Sequence, residues 1–259
     1  MKNVIYVLGK DTKLIFAFDA DVPFRMSDII PIPQVASPRD LAACETHNFL
    51  YVVDEGGKYV WKISCTNFKV ERWLSGIGDP FKISITKGGG VLIPRTGKLC
   101  AIEVMRSDAK LEKRIKLPDE IKDIEHALQS PSETLIISYG RNKSKNSGIM
   151  EISMDGVILK THSLMREALS EMMDPRHMTL CRGNTVLVAD CRNDRVIAFD
   201  GQLQAKQVLQ NNILRPDRVC YIEDRKYLIV VHCVRRFQYY NADNTCTILG
   251  NEVVVFKCS

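Results

Sequence analysis

Between Asp174 and Asp200 the apolar and polar positions follow a set order. A proline leads into an apolar run, a second run ends in Val188-Ala189-Asp190, and a polar turn ends in Asn193-Asp194-Arg195. A third run, Val196-Ile197-Ala198-Phe199, then meets Asp200. The same order returns from Ser37-Pro38-Arg39-Asp40 through Tyr51-Val52-Val53-Asp54 to Tyr59-Val60-Trp61-Lys62-Ile63. It returns again from Arg215-Pro216-Asp217-Arg218 through Tyr227-Leu228-Ile229-Val230-Val231 to Phe237-Gln238-Tyr239-Tyr240. Weaker copies start at Asp79-Pro80 and Leu117-Pro118. Runs this short, bounded by turn residues, predict strands rather than helices. The prolines at 38, 80, 118, 175 and 216 are separated by 42, 38, 57 and 41 residues, close to the ~40 to 50 residues of one propeller blade.

Each copy reads as one antiparallel blade of four strands. Asp155-Gly156 and Asp200-Gly201 are expected to make the tight turns between third and fourth strands, where Gly readily supplies a positive φ. Gly88-Gly89-Gly90 reads as a hairpin turn. Val4 to Leu8 and Leu14 to Phe18 look like second and third strands with no first strand before them. At the far end, a fourth strand at Thr245 to Leu249 leaves one more apolar run, Val253-Val254-Val255-Phe256. That run is expected to enter the first blade as its innermost strand and so remove an open seam. The predicted fold is therefore an all-β, six-bladed β-propeller of four-stranded antiparallel blades. It spans residues 1–259 as one domain, has 24 strands if every blade is complete, and is closed by the C-terminal strand. The long interval holds two insertions: a polar loop, Arg141 to Ser147, and a short helix over His162 to Met173. The helix follows from Leu164, Met165, Ala168, Leu169 and Met172 at helical spacing.

No apolar run approaches the ~18 to 20 residues of a membrane span, and Met1-Lys2-Asn3 leads directly into a strand instead of a signal peptide. A soluble, cytoplasmic, monomeric protein with no membrane partner is the expectation. Nine cysteines, odd in number and without a Cys-x-x-Cys pair, suggest neither a zinc site nor a disulfide framework. Cys44 and Cys181, each six residues after a blade proline, read as small buried hydrophobes.

With these residues in view, the chain resembles NHL-repeat propellers, most nearly the C-terminal propellers of tripartite-motif ubiquitin ligases. The likeness rests on Pro175, Val188-Ala189-Asp190, Asn193-Asp194-Arg195, Val196-Ile197 and Phe199-Asp200, and on Pro38 with Tyr51-Val52-Val53-Asp54. It covers two blades specifically and the rest in hydrophobic pattern. No RING, B-box or coiled-coil segment is present in the chain. The resemblance therefore implies a recognition module, a fragment or a free-standing relative; within a ubiquitin-ligase system its role would be substrate recognition rather than ubiquitin transfer. Some relatives bind RNA, which makes single-stranded or stem-loop RNA the alternative partner.

In such a blade the start of strand one and the turn between strands two and three share a face of the disc. Lysines and arginines outnumber carboxylates there, so this face is expected to carry the excess charge of a chain whose net charge is +5. Phosphate contacts require that asymmetry. The binding-face candidates are Arg39, Arg95, Arg176, His177, Arg192, Arg215, Arg218, Arg235 and Arg236; Arg and His planes also stack on unpaired bases. Phe81 and Tyr139 are candidate exposed aromatics. Competing readings stand beside this one. Asp190 and Arg195, at the two ends of one hairpin, suit a staple within the blade, as Asp54 and Lys58 nearly do. A solvated surface or a protein-binding surface accounts equally for the basic face.

A calcium-dependent lactonase or esterase is the less favoured alternative. Such propellers hold a metal with carboxylates and amides of the inner strands, whereas the inner strands here offer mostly Leu41, Ala42, Ala43, Ile83, Ile85, Met178, Leu180 and Val219. Glu45, Asp123, Glu125 and His126 are the nearest ligand types, and they form no repeating ring. No Gly-x-Ser-x-Gly, His-Glu-x-x-His or phosphate-loop pattern occurs. His47, His126, His162, His177 and His232 read as surface or packing residues. No catalytic residue, metal or cofactor is assigned, and the expected role is binding a protein partner.

Overall fold

The computed structural model describes residues 4–9, 12–21, 24–76, 82–96, 100–119, 121, 123–140, 147–162, 172–209, 213–233 and 251–257. Their strands form six antiparallel sheets, each a meander of consecutive strands. The first holds β1 (Val4–Gly9), β2 (Leu14–Asp19) and β3 (Met26–Pro31). The second holds β4 (Pro38–Cys44), β5 (Phe49–Asp54), β6 (Tyr59–Ser64) and β7 (Val70–Ser75). The third holds β8 (Ser84–Ile85), β9 (Val91–Arg95), β10 (Ala101–Met105) and β11 (Leu111–Lys116). The fourth holds β12 (Ile124–Gln129), β13 (Leu135–Tyr139), β14 (Gly148–Ile152) and β15 (Ile158–Thr161). The fifth holds β16 (Pro175–Cys181), β17 (Thr185–Asp190), β18 (Arg195–Phe199) and β19 (Ala205–Leu209). The last holds β20 (Pro216–Ile222), β21 (Tyr227–Cys233) and β22 (Asn251–Lys257). No α-helix occurs among the described residues.

The chain divides into two compact units, Met1–Ile137 with Ile152–Ile158, and Ser138–Glu151 with Leu159–Ser259. Within each, the core lies between the faces of successive sheets. In the first unit, Ile15, Ile30 and Ile32 pack on Leu50, Val52, Trp61 and Ile63. The opposite face of that second sheet sets Tyr51, Val53 and Val60 against Ile83, Val91, Ile93 and Met105. In the second unit, Leu187, Ala189 and Val196 meet Val219, Leu228 and Val230. A middle strand covered on both faces needs a continuous apolar run, and β5, β10 and β14 are buried almost throughout. An outermost strand has a wet face and a free edge, so β11 and β15 are mostly exposed, β7 is exposed along half its length, and charged residues recur along β7 and β11.

The C-terminal run corrects the expected closure. Val253 to Phe256 do not join β1; they lie in β22, paired with β21 so that Val253, Val254, Val255 and Phe256 stand opposite Val231, Val230, Ile229 and Leu228. An apolar run of matching length in its own sheet offers full register, and the first and last sheets each hold three strands among the described residues rather than four. The expected strands at Phe237 to Tyr240 and Thr245 to Leu249 lie outside the described residues, as do most of the Arg141 to Ser147 loop and of the His162 to Met173 helix.

The two Asp-Gly turns also differ. Gly156 has φ +85, as expected, and its N–H donates to Ser153 O at 3.0 Å. At Asp200-Gly201 the positive φ falls on Leu203 (+56) instead. The turn is held by the Asp200 carboxylate, whose Oδ1 accepts from Gln202 N and Gln204 N, each at 2.9 Å. Gly89 sits in the turn between β8 and β9 with φ +82, which bears out the hairpin reading. Cys44 is fully buried, while Cys181 is half-buried against the fifth-sheet core.

Candidate functional site

Pairing of β16 with β17 and of β4 with β5 sets Pro175 opposite Asp190 and Pro38 opposite Asp54. Each aspartate ends a second strand and reaches the backbone that leads into the first. Asp54 accepts hydrogen bonds from Ala36 N (3.0 Å), Ser37 N (2.8 Å), Gly57 N (3.1 Å) and Trp61 Nε1 (3.1 Å). Asp190 accepts from Met173 N (2.7 Å), Asn193 Nδ2 (2.8 Å) and Arg195 Nε (2.7 Å). Arg195 and Asp190 are both withdrawn from water, so this pair is a staple within its sheet. Tyr59, not Lys58, stands opposite Asp54 in register, and the donor that takes the place of an arginine there is the Trp61 indole.

That staple fixes the segment from Met172 to Pro175 and, with it, a charged cluster in the second unit. Arg176, at the start of β16, donates from Nε to Asp174 Oδ2 at 3.1 Å and from Nη1 to Asp217 Oδ1 at 2.9 Å. Asp217 belongs to β20, the inner strand of the neighbouring sheet, and its other oxygen accepts from Arg218 Nη1 at 2.8 Å. Arg192, in the turn after β17, brings Nε to 3.7 Å from Asp174 Oδ2. Asp174 is fully buried and Asp217 about one-third exposed, whereas the three arginine side chains retain 19–29% of their exposure. Arg215 is half-buried at φ +48, and its N–H donates to Asp194 Oδ1 at 2.7 Å. Beneath the cluster, Cys191 donates its N–H to Asp174 O at 3.1 Å. Burial pushes its thiol up to about 11 against the opposing pull of Arg176.

The nine sequence candidates therefore part company. Arg176, Arg192 and Arg218 come together around Asp174 and Asp217. The half-buried His177 lies on β16 and Arg215 directly precedes β20, and Arg235 and Arg236 lie outside the described residues. In the first unit Arg39 stands 3.7 Å from Glu55. Arg95 lies on β9, where its Nε (2.8 Å) and Nη2 (2.6 Å) clamp Glu103 Oε2 while Arg114 takes Oε1. Glu103 is buried, and Arg95 is a cross-strand tie rather than a member of an open basic surface. In the sequence Asp174 and Asp217 count only as opposing charge on that face, and Glu103 does not stand out at all. Their partners lie in other strands or in the next sheet, and only the repeat spacing between residues 176 and 217 hinted at one of them.

Other candidates are placed as follows. Tyr139 is half-buried, its hydroxyl pushed up by burial, and Phe81 lies outside the described residues. Glu125 and His126 are buried on β12, while Glu45 and Asp123 are exposed. Among the described residues no three His, Cys, Asp or Glu side chains gather as a metal site would require. No helix among them is long and apolar enough to cross a membrane. Cys44, Cys65, Cys100, Cys181, Cys191 and Cys220 are free thiols.

Neither a family model nor a curated protein matches the chain. Solved structures do. A chain of a nidogen/laminin complex matches over 88% of this chain and 85% of its own length, with 18% identity and a TM-score of 0.69. Virginiamycin B lyase from Staphylococcus aureus matches over 89% and 74%, with 11% identity and a TM-score of 0.64. A protein of unknown function from Bacteroides caccae matches over 88% and 82%, with 12% identity and a TM-score of 0.66. Identities this low speak for the fold alone, an all-β β-propeller of antiparallel sheets.

Proposed function

We propose that the chain is a non-catalytic recognition propeller, six-bladed and NHL-like over residues 1–259, which binds a protein partner through the surface carrying Arg176, Arg192, Asp217 and Arg218. The six antiparallel sheets support one blade each. The free thiols support a cytoplasmic setting, and the NHL-type pattern from Asp174 to Asp200 supports a place as the recognition part of a ubiquitin-ligase system. The observation that carries the choice of partner is the pairing of the arginines. Three of those nominated for phosphate already meet carboxylates: Arg176 with Asp174 and Asp217, Arg218 with Asp217, Arg192 with Asp174. A phosphate would have to compete with these carboxylates, and its entry would set Asp217 against it at short range. A surface where guanidinium and carboxylate alternate in fixed geometry instead suits the mixed charges of a protein partner, for which electrostatic complementarity selects register and suppresses wrong partners. The similarly folded chain from a nidogen/laminin complex agrees with a propeller used in protein association.

The test presents the purified chain in parallel with a displayed peptide library and with a pool of random single-stranded RNA, each across a salt series. Peptides enriched on the chain and lost with Arg176→Glu/Arg218→Glu are the expected result. RNA binding that falls steeply with salt and disappears in the same variant would replace this reading with a nucleic-acid one.

A further inference from the structure

The staple seen in two sheets has a counterpart in the last sheet, built from a different chemical group. Pro216 on β20 stands opposite His232 on β21, as Pro38 stands opposite Asp54 and Pro175 opposite Asp190. The residue two before the proline donates its backbone N–H in all three: Ala36 N to Asp54 Oδ2 at 3.0 Å, Met173 N to Asp190 Oδ1 at 2.7 Å, and Leu214 N to His232 Nδ1 at 3.3 Å. A carboxylate holds the segment into the first strand in the second and fifth sheets. An imidazole holds it in the last. His232 is buried, and its Nε2 meets no partner among the described residues.

From this equivalence we propose that His232 is a pH-operated latch on the segment Ile213 to Pro216. The hydrogen bond from Leu214 needs a lone pair on Nδ1, which only the neutral ring with its proton on Nε2 provides. A second proton turns Nδ1 into a donor that faces the Leu214 N–H. The imidazolium would also be buried, where charge is penalised. The latch is closed while the ring is neutral and opens when acidification brings a second proton to it. In the second and fifth sheets the same place is held by a carboxylate instead. The charged positions on the elements beside His232 are Arg215, Asp217 and Arg218 around the start of β20, Asp194 held to Arg215 N, and Glu252, opposite His232 in the β21–β22 register. The opened segment is the one that leads into Asp217 and Arg218, yet the latch stands independently of what that surface binds.

Amide hydrogen exchange of the full chain, corrected for the intrinsic rate at each pH, reads the latch directly. Exchange at Leu214 and along Pro216–Cys233 is expected to quicken as pH falls. His232→Asp, which restores the carboxylate of the other sheets, and His232→Gln, a neutral acceptor, should both abolish that dependence, while Glu252→Gln should leave it in place. The same pH profile in wild type and His232→Gln would overturn the proposal. Should the variants fail to fold, nitrogen NMR of the His232 ring in the wild-type chain decides. A proton on Nε2 that is joined by one on Nδ1 as Leu214 loses protection supports the latch; a ring protonated on Nδ1 at neutral pH, or one that titrates without change at Leu214, overturns it.

Discussion

Arg195 Nε donates to Asp190 Oδ2 at 2.7 Å, with both side chains shut off from water at the two ends of one hairpin. The pair answers a buried charge with a buried charge, and Asp190 fills its remaining acceptor positions with Met173 N and Asn193 Nδ2. Removing one partner of such a pair leaves the other uncompensated. Arg195→Ala is expected to lower stability by about 3–5 kcal/mol, measured by urea or guanidinium unfolding. Arg195→Lys should recover only part of that loss, because a point charge cannot reproduce the fixed geometry of the guanidinium. A loss under about 1 kcal/mol would assign the pair no more weight than a surface salt bridge.

Two identical dipeptides predict opposite outcomes. A Cβ on Gly156 would stand 2.3 Å from Lys116 O, at a backbone φ of +85. On Gly201 it would lie 3.3 Å from Asn184 Cβ, with φ outside the left-handed region. Gly156→Ala should cost about 2–4 kcal/mol through clash and backbone strain. Gly201→Ala should stay within about 1 kcal/mol, since alanine also lowers the entropy of the unfolded chain. Thermal unfolding of the two variants side by side separates them.

This contrast shows what was legible from the residues. Strand runs, turn positions and the Asp190–Arg195 staple could be read directly, because each involves neighbours within one hairpin and the apolar period of two covered faces. Gly201 was misread because the Asp200 side chain, not glycine, holds that turn. The destination of Val253 to Phe256 was misread because two apolar partners were open to it, β1 and β21, and strand pattern alone does not choose between them. The neutralised arginines were hidden for a related reason. Arg176 and Asp217 sit at the starts of two different sheets, and Arg95 and Glu103 on adjacent strands. A charge count places them on a surface without saying that they touch.

The tie between Arg176 and Asp217 should behave as a modest, salt-sensitive coupling. Both side chains keep a quarter to a third of their exposure, so water screens much of their attraction. A double-mutant cycle with Arg176→Ala and Asp217→Asn is expected to give a coupling of about 0.5–1 kcal/mol, smaller again at ~1 M salt. A coupling of zero at low salt would remove the fixed alternation of charge on which the protein-binding reading depends.

Acid should weaken the fold in two separable steps. Burial lowers the His162 imidazole below its ordinary value of 6.5, more than the Ile149 backbone and Asp190 raise it, so folding favours the neutral ring. Its contribution is whole above about 6.5 and is lost as pH falls toward the lower native value. Asp54 acts further down. Burial would raise its carboxyl, but hydrogen bonds from Ser37, Ala36, Trp61 and Gly57 together hold it below its ordinary 3.8. Its contribution is complete above the unfolded carboxylate range and disappears as pH falls through the native value. Unfolding free energy measured against pH should therefore slope twice. His162→Gln should flatten part of the upper slope, while Asp54→Asn should remove part of the lower slope and reduce stability near neutral pH. An unchanged upper slope in His162→Gln would place the upper titration on other groups and sink the assignment of His162 to it.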